Sequence, residues 1–491
     1  MPARLPDMRA SGVFLTICLL AIGAALYVLE SARAGVEITQ THVGDSPVTI
    51  YDGDGPNVVV AHGFAGSRQM MQGYALTLAR AGYRVLAFDF EGHGRHPVPM
   101  SGDVTSLDGT TRLLVEQTLS VVDAAGPGPV ALLGHSMATD ILIRAADAAP
   151  QWIGPVVVIS AFSQAVDATQ PPDMLMITGA WEGGLRAFAR KAVAMVDPEA
   201  GEGDLATAGE VRRKTVVAPL AEHVGVLHSR LGRAEAVSWL NTAYGREGQV
   251  PVPATGPVTL GLLIAIVALA RPLSRLLPYA PDPARRALSR AQVAVLLVVP
   301  ALVAPPLAVL VDPHALPVLV ADHLAVHLGL FGLIQLALLW GFGVGFGRLS
   351  LPGVLAILIW GLGLFGLALD RYAANFLPIP ERMVIMAALS LGAVPFMLAD
   401  AIVTDGGRAA LSRRVLARVA FLASLGFAVA LDFEGLFFLI MIAPVIVLFY
   451  ALFGLVGRWV AQRQGAVAAG VGLGICLAWS LGVSFPMFAS G

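Results

Sequence analysis

Val130-Ala131-Leu132-Leu133-Gly134-His135-Ser136-Met137-Ala138 is the stretch on which the reading of this chain turns. Four apolar residues suited to a buried strand run into a small–x–Ser–x–small sequence, and a helical pattern follows. This is the form of a nucleophile elbow, a strand-to-helix turn so tight that only small residues fit beside the serine. The turn lifts the hydroxyl above the sheet edge. Ala138 stands where a second glycine is more usual, a difference of one methyl group.

Outward from this turn, short apolar runs alternate with helical stretches, the pattern of an α/β fold with a mostly parallel sheet. Residues 36–43 and 48–51 read as an initial antiparallel pair. The runs 57–61, 84–88, 130–133, 156–160, 174–178 and 214–218 read as the parallel strands, with helices such as 70–81 and 107–125 between them.

Two further motifs lie on these strands. His62-Gly63-Phe64-Ala65-Gly66 follows the strand 57–61, and Asp89-Phe90-Glu91-Gly92-His93-Gly94 follows the next. With the serine turn they resemble the α/β-hydrolase superfamily, more closely its small lipase, esterase and dienelactone-hydrolase-like members, over roughly residues 36–245. The resemblance implies a Ser–acid–His triad in that chain order, with the backbone N–H groups of Phe64 and Met137 as the oxyanion hole. Gly179-Ala180-Trp181-Glu182 matches the family's acid-bearing turn with Glu for Asp, which makes Glu182 the acid and Asp167, after the preceding strand, the runner-up. His223, after the last strand, matches the catalytic histidine; His228, five residues on, falls on the helix leading to Trp239. The implied activity is that of a serine esterase or lipase, by acyl hydrolysis or acyl transfer, with Ser136 as nucleophile. No cofactor is expected. His62, His93, His96 and His135 lie in or beside these motifs, which argues against a metal site.

The rest of the chain is of another kind. Only 13% of residues are charged and 56% are hydrophobic, against roughly 25% charged in a soluble domain. Residues 35–250 hold 23 acidic and 15 basic side chains, a net of −8; the remainder holds 11 acidic side chains and 17 arginines, a net of +6. An acidic domain repels phosphate, and the arginines flank apolar runs, so nucleic acid is not an expected partner. Cys18 and Cys476 both sit in apolar runs, so no disulfide framework is expected.

An apolar run at 12–29 reads as a membrane anchor or signal segment within residues 1–34. After the hydrolase domain (35–250), residues 251–491 read as an all-α transmembrane domain of about eight helices, near 254–270, 291–311, 319–346, 351–369, 383–403, 416–432, 435–457 and 466–487. Arginines gather in alternate loops, at 271–290, at Arg348, at Arg408 to Arg418, and at Arg458 and Arg463. Basic loops stay in the cytoplasm, so the hydrolase domain is expected on the extracytoplasmic side of the cell (inner) membrane.

Gly361-Leu362-Gly363-Leu364-Phe365-Gly366 has the spacing of a dinucleotide fingerprint, but inside an apolar span it reads as helix-packing glycine. Gly341, Gly343, Gly345 and Gly347 read the same way. His323 and His327, one turn apart beside Asp322, read as interfacial groups at the outer end of their span.

The connection 161–173 is too short for a lid, so the site is expected open, or covered by the extracytoplasmic loops or the membrane surface, which favours an amphiphilic or membrane-derived ester. The competing reading is a lipid-handling or transport protein with an accessory or inactive hydrolase domain. Oligomeric state is not legible.

Overall fold

The structure, a computed structural model, describes residues 8–104, 106–248, 251–280, 282, 285–311 and 313–489. Val250, the end of the hydrolase domain as read from the sequence, lies outside the described residues. The chain divides into two compact units. One takes in Ala24–Gly261 with Asp370–Asn375 and the C-terminal segment from Pro486; the other takes in the chain up to Gly23 with Leu262–Leu369 and Phe376–Phe485.

The first unit is built on a nine-stranded sheet in the order β1-β2-β4-β3-β5-β6-β7-β9-β8. β1 (Ile38–Val43) and β2 (Ser46–Tyr51) form the expected antiparallel pair, and β2 continues antiparallel onto β4 (Arg84–Phe88). The central strands β4, β3 (Asn57–Ala61), β5 (Val130–His135), β6 (Ile153–Ile159), β7 (Asp173–Gly179) and β9 (Val211–Ala218) are parallel. Their Val, Ile and Leu side chains are buried on both faces, which is why these strands read as continuous apolar runs.

Two features differ from expectation. β9 begins three residues early, because β8 (Leu205–Ala208) pairs with it across a Gly209-Glu210 hairpin turn. Four residues flanked by polar loops carry too little periodicity to be read as a strand, although Gly209, with φ +61, is the residue such a turn needs. The helix expected at 107–125 opens as a π-turn, Leu107–Thr111, and is regular only over α3 (Arg112–Ala125). α1 (Met8–Arg33) precedes the sheet in the chain, and α2 (Gln72–Arg80), α4 (Met137–Ala148) and α5 (Gly183–Ala194) complete the layers beside the central strands.

Among the described residues, nine helices are long and apolar enough to cross a membrane: Ser11–Arg33, Thr255–Ser274, Arg290–Val311, Ala321–Gly341, Leu351–Tyr372, Pro380–Val403, Leu411–Leu431, Leu439–Gln464 and Ala466–Ser484. The chain is a multi-pass membrane protein. Glycines bring its helices together. A Cβ at Gly332 would strike the backbone at Pro395 and Phe396, and one at Gly470 or Gly474 the backbone near Leu398 or Val394. A Cβ at Gly361, within a π-helical stretch, would instead press on the side chains of Phe453 and Cys476.

The helix starting at Ala321 ends at Gly341, short of the expected 346. Gly343 and Gly347 take left-handed backbone in the loop beyond, so they shape a turn instead of packing helices. His327 is fully buried, its Nε2 2.8 Å from Ser424 Oγ, so it is a core group and not an interfacial one.

One end of this unit gathers four connections. Arg285 donates to the carbonyls of Gly345 and Phe346 and pairs with Asp282 and Asp405; Asp282 accepts from Ala466 N, and Arg463 donates to Leu277 O.

Candidate active site

The register of the parallel strands assembles the site at their carboxyl ends, where open α/β sheets bind ligands. Ala61 lies opposite Gly134, His135 opposite Ile159, and Gly179 opposite Ala218. The turns that follow β3, β5, β6, β7 and β9 are therefore neighbours.

Ser136 sits between β5 and α4 with φ +53 and ψ −117, outside the regions an L-residue prefers. Such backbone costs on the order of 1–3 kcal/mol and is held only where its surroundings enforce it. Here Ser136 N donates to Ile159 O at 2.9 Å, and Thr139 N donates to Ser136 O at 2.8 Å. A Cβ at Gly134 would come within 3.0 Å of the Ala138 methyl, so the glycine before the serine makes room for the alanine after it.

Three side chains form one line of hydrogen bonds. His223 Nε2 is 2.8 Å from Ser136 Oγ, and His223 Nδ1 is 2.6 Å from Glu182 Oε1. The carboxylate fixes the proton on Nδ1, which leaves Nε2 to accept from the serine hydroxyl. The Glu182 side chain is 6% exposed and that of His223 44%, so the imidazole is open while the carboxylate that holds it is covered. Burial alone would raise the Glu182 carboxyl, but hydrogen bonds from His223, Gly179 N and Ser160 Oγ outweigh it and hold the group below its ordinary range.

His135 braces the same histidine from behind. Its Nε2–H donates to the His223 carbonyl at 2.8 Å, and the two rings lie 4.9 Å apart. Burial first, and then the neighbouring His223, pushes the His135 pKa down to about 4, so the ring is neutral. Ser160 and His135 are the two supporting groups that sequence reasoning missed. Ser160 closes a strand on an unremarked serine, and His135 occupies the unspecified position of the serine motif.

The turn after β3 lies against the elbow. A Cβ at Gly63 would stand 3.0 Å from both Ser136 Cβ and His135 Nδ1, so Phe64 follows directly on this closest approach. Phe90 N–H donates to His62 Nε2, which leaves His62 Nδ1–H to donate to Gly63 O at 2.8 Å. Met137 opens α4 immediately after Ser136. Each of His62, His93, His96 and His135 hydrogen-bonds a backbone group, and no three His, Cys, Asp or Glu side chains converge on a metal site among the described residues.

The structure thus brings Ser136, His223, Glu182 and the turn bearing Phe64 together. It leaves the other two candidates apart. Asp167 accepts from Thr169 N, Thr169 Oγ1 and Gln170 N within its own turn. His228 ends a 3-10 turn, Gly225–His228, ahead of the final helix α6 (Arg230–Ala243) instead of lying on it.

An elbow at the end of a central parallel strand, with base and acid delivered by the following strands, defines an α/β hydrolase. Residues 56–223 match the family described as serine aminopeptidase, S33, and this stretch is a domain of the α/β-hydrolase superfamily. The putative carbamate hydrolase RutD of Variovorax paradoxus is 26% identical over 111 residues, 23% of this chain and 40% of that protein. Among solved structures, epoxide hydrolase VrEH1 of Vigna radiata is 25% identical, with a TM-score of 0.23, over 26% of this chain and 40% of its own. The predicted CIB-like hydrolase of Thermoplasma acidophilum is 14% identical, with a TM-score of 0.34, over 42% of this chain and 100% of its own. The chain spans 40% of the length of the curated relative it matches.

Proposed function

We propose that this protein is a serine hydrolase held at the extracytoplasmic face of the cell membrane, acting on an amphiphilic or membrane-derived ester. The observation that carries the reading is the continuous line Ser136 Oγ–His223 Nε2 and His223 Nδ1–Glu182 Oε1, at 2.8 and 2.6 Å, on a strained elbow. Ser136 Oγ attacks the ester carbonyl as its proton passes to His223 Nε2. The Phe64 and Met137 N–H groups receive the oxyanion, where one donor is worth about 3 kcal/mol. Collapse expels the alcohol, which takes the proton from His223 and leaves an acyl-serine. Water, or another acceptor, repeats the sequence to release the acyl group. Glu182 holds the imidazole in its working tautomer throughout.

Exposed apolar side chains flank the triad in sequence and support an amphiphilic substrate. Trp181, beside the acid, is 68% exposed; Leu220, ahead of the base, 83%; Phe162, beyond Ser160, 59%. The arginine alternation supports the extracytoplasmic side, and so does the helical unit, whose basic connections near 282–285, 345–346, 405 and 463–466 meet at one end. The test is hydrolysis of a short-chain p-nitrophenyl ester by the purified protein, with fluorophosphonate labelling. Ser136→Ala should abolish labelling and lower kcat by several orders of magnitude. Equal activity in Ser136→Ala would overturn the reading.

A further inference from the structure

The turn that bears Phe64 is braced by two segments far away in the sequence, 370–375 and 486–489, both within the hydrolase unit. Asn375 N–H donates to Ser67 Oγ at 3.0 Å, and Asn375 Oδ1 accepts from Arg95 Nε at 2.9 Å. Arg95 Nη2 reaches both oxygens of Asp370, at 2.7 and 2.6 Å. Arg95 N–H donates to Asp89 Oδ2, and Asp89 in turn accepts from Arg68 N and pairs with the Arg68 guanidinium. Both ends of this network lie on the loops 62–71 and 89–100.

The C-terminal segment adds a second brace to the same loops. Met487 N donates to Gly92 O at 2.8 Å, Met100 N to Met487 O at 2.9 Å, and Ala489 N to Met100 O at 2.7 Å. Gly92 is glycine for this contact: its φ is +72, and a Cβ there would collide with the Met487 carbonyl. Phe488, buried, sets its ring 6.4 Å from that of Phe64, and the His93 ring lies 5.6 Å from Phe64, edge to face.

We propose that segments 370–375 and 486–489 are structural parts of the active site, and that Phe488 and Asn375 are positioning residues for the oxyanion donor at Phe64. The inference rests on the serine-hydrolase reading above. Its physical basis is the steep dependence of catalysis on placement: an oxyanion donor acts only when aimed at the developing charge, and a shift of about 1 Å can cost about a hundredfold. Segment 370–375 overlaps the end of one candidate membrane span, Leu351–Tyr372, and segment 486–489 comes just after another, Ala466–Ser484. The helical half of the chain thereby supplies parts that the hydrolase needs.

The test uses the full-length protein in detergent with the p-nitrophenyl ester. Phe488→Ala should lower kcat at least about tenfold with KM changed less than about twofold, and Phe488→Tyr should restore most of kcat. Asn375→Ala should lower kcat in the same manner. If Phe488→Ala loses its thermal unfolding transition, Phe488→Leu, which keeps most of the buried volume, takes its place with the same expectation. Wild-type kcat in folded Phe488→Ala or Phe488→Leu, or a rise in KM alone, would overturn the proposal. Ser136→Ala run in parallel separates the two readings. If it is inactive while Phe488→Ala and Asn375→Ala match wild type, only the positioning role falls; if it remains active, both fall.

Discussion

Ser160 Oγ donates to Glu182 Oε2 at 2.8 Å, from the residue just after β6 to the carboxylate that holds His223. Ser160 is buried and has φ +54, a backbone conformation that glycine adopts without strain. Ser160→Gly therefore removes the hydroxyl without a backbone penalty, leaving Gly179 N as the remaining donor to that oxygen. A hydrogen bond to a charged group contributes about 1.5 kcal/mol or more, so kcat/KM should fall about tenfold, well short of the loss in Ser136→Ala. An unchanged rate would show that Gly179 alone suffices.

The identity of the acid can be tested directly. Glu182→Gln should cost at least about a hundredfold in kcat, because the amide no longer enforces the Nδ1–H tautomer. Asp167→Asn and His228→Ala should stay within about threefold of wild type, since Asp167 is committed to its own turn and His228 lies outside the hydrogen-bonded line. A damaging Asp167→Asn with a silent Glu182→Gln would reverse the assignment.

His135 makes stability fall with acid. Its folded-state pKa of about 4 lies below the ordinary 6.5, so the ring is neutral in both states above pH 6.5. As pH falls from 6.5 towards 4, the unfolded chain takes up a proton that the folded ring refuses, which costs on the order of 3 kcal/mol. Thermal unfolding of wild type and His135→Gln at pH 7 and pH 4.5 checks this. The glutamine can still donate to the His223 carbonyl, and its melting temperature should drop less between the two pH values. Identical drops would remove His135 from the acid response.

Topology decides which substrates the hydrolase domain can meet. A reporter active only outside the cytoplasm should signal when fused after Val250, fall silent after Arg290, and signal again after Gly491, since eight spans return the chain to the outer side. Silence at Val250 would put the hydrolase domain in the cytoplasm and overturn the proposed extracytoplasmic site of action.

Much of this protein was legible because its decisive signals are local. A strained turn with small neighbours at Gly134 and Ala138, glycines where the chain approaches itself, and apolar runs of membrane length are demands that a few adjacent residues must meet. That is why the α/β fold, its parallel strands and the spans could be read from order and spacing. Local patterns were weaker where geometry competed with composition: β8 is too short to show a period, and Gly343 and Gly347 shape a loop.

What the tertiary structure alone decided is which distant groups meet. Glu182, and not Asp167, meets His223 because Gly179 lies opposite Ala218, so the turns after β7 and β9 leave the sheet side by side. Ser160 reached the acid through the neighbouring strand end, and His135 reached the base through its backbone carbonyl. Segments 370–375 and 486–489 have no periodicity or motif of their own. Their place beside the loops 62–71 and 89–100 comes from hydrogen bonds to residues hundreds of positions away, and contacts closed over such separations leave no trace in the spacing of residues along the chain.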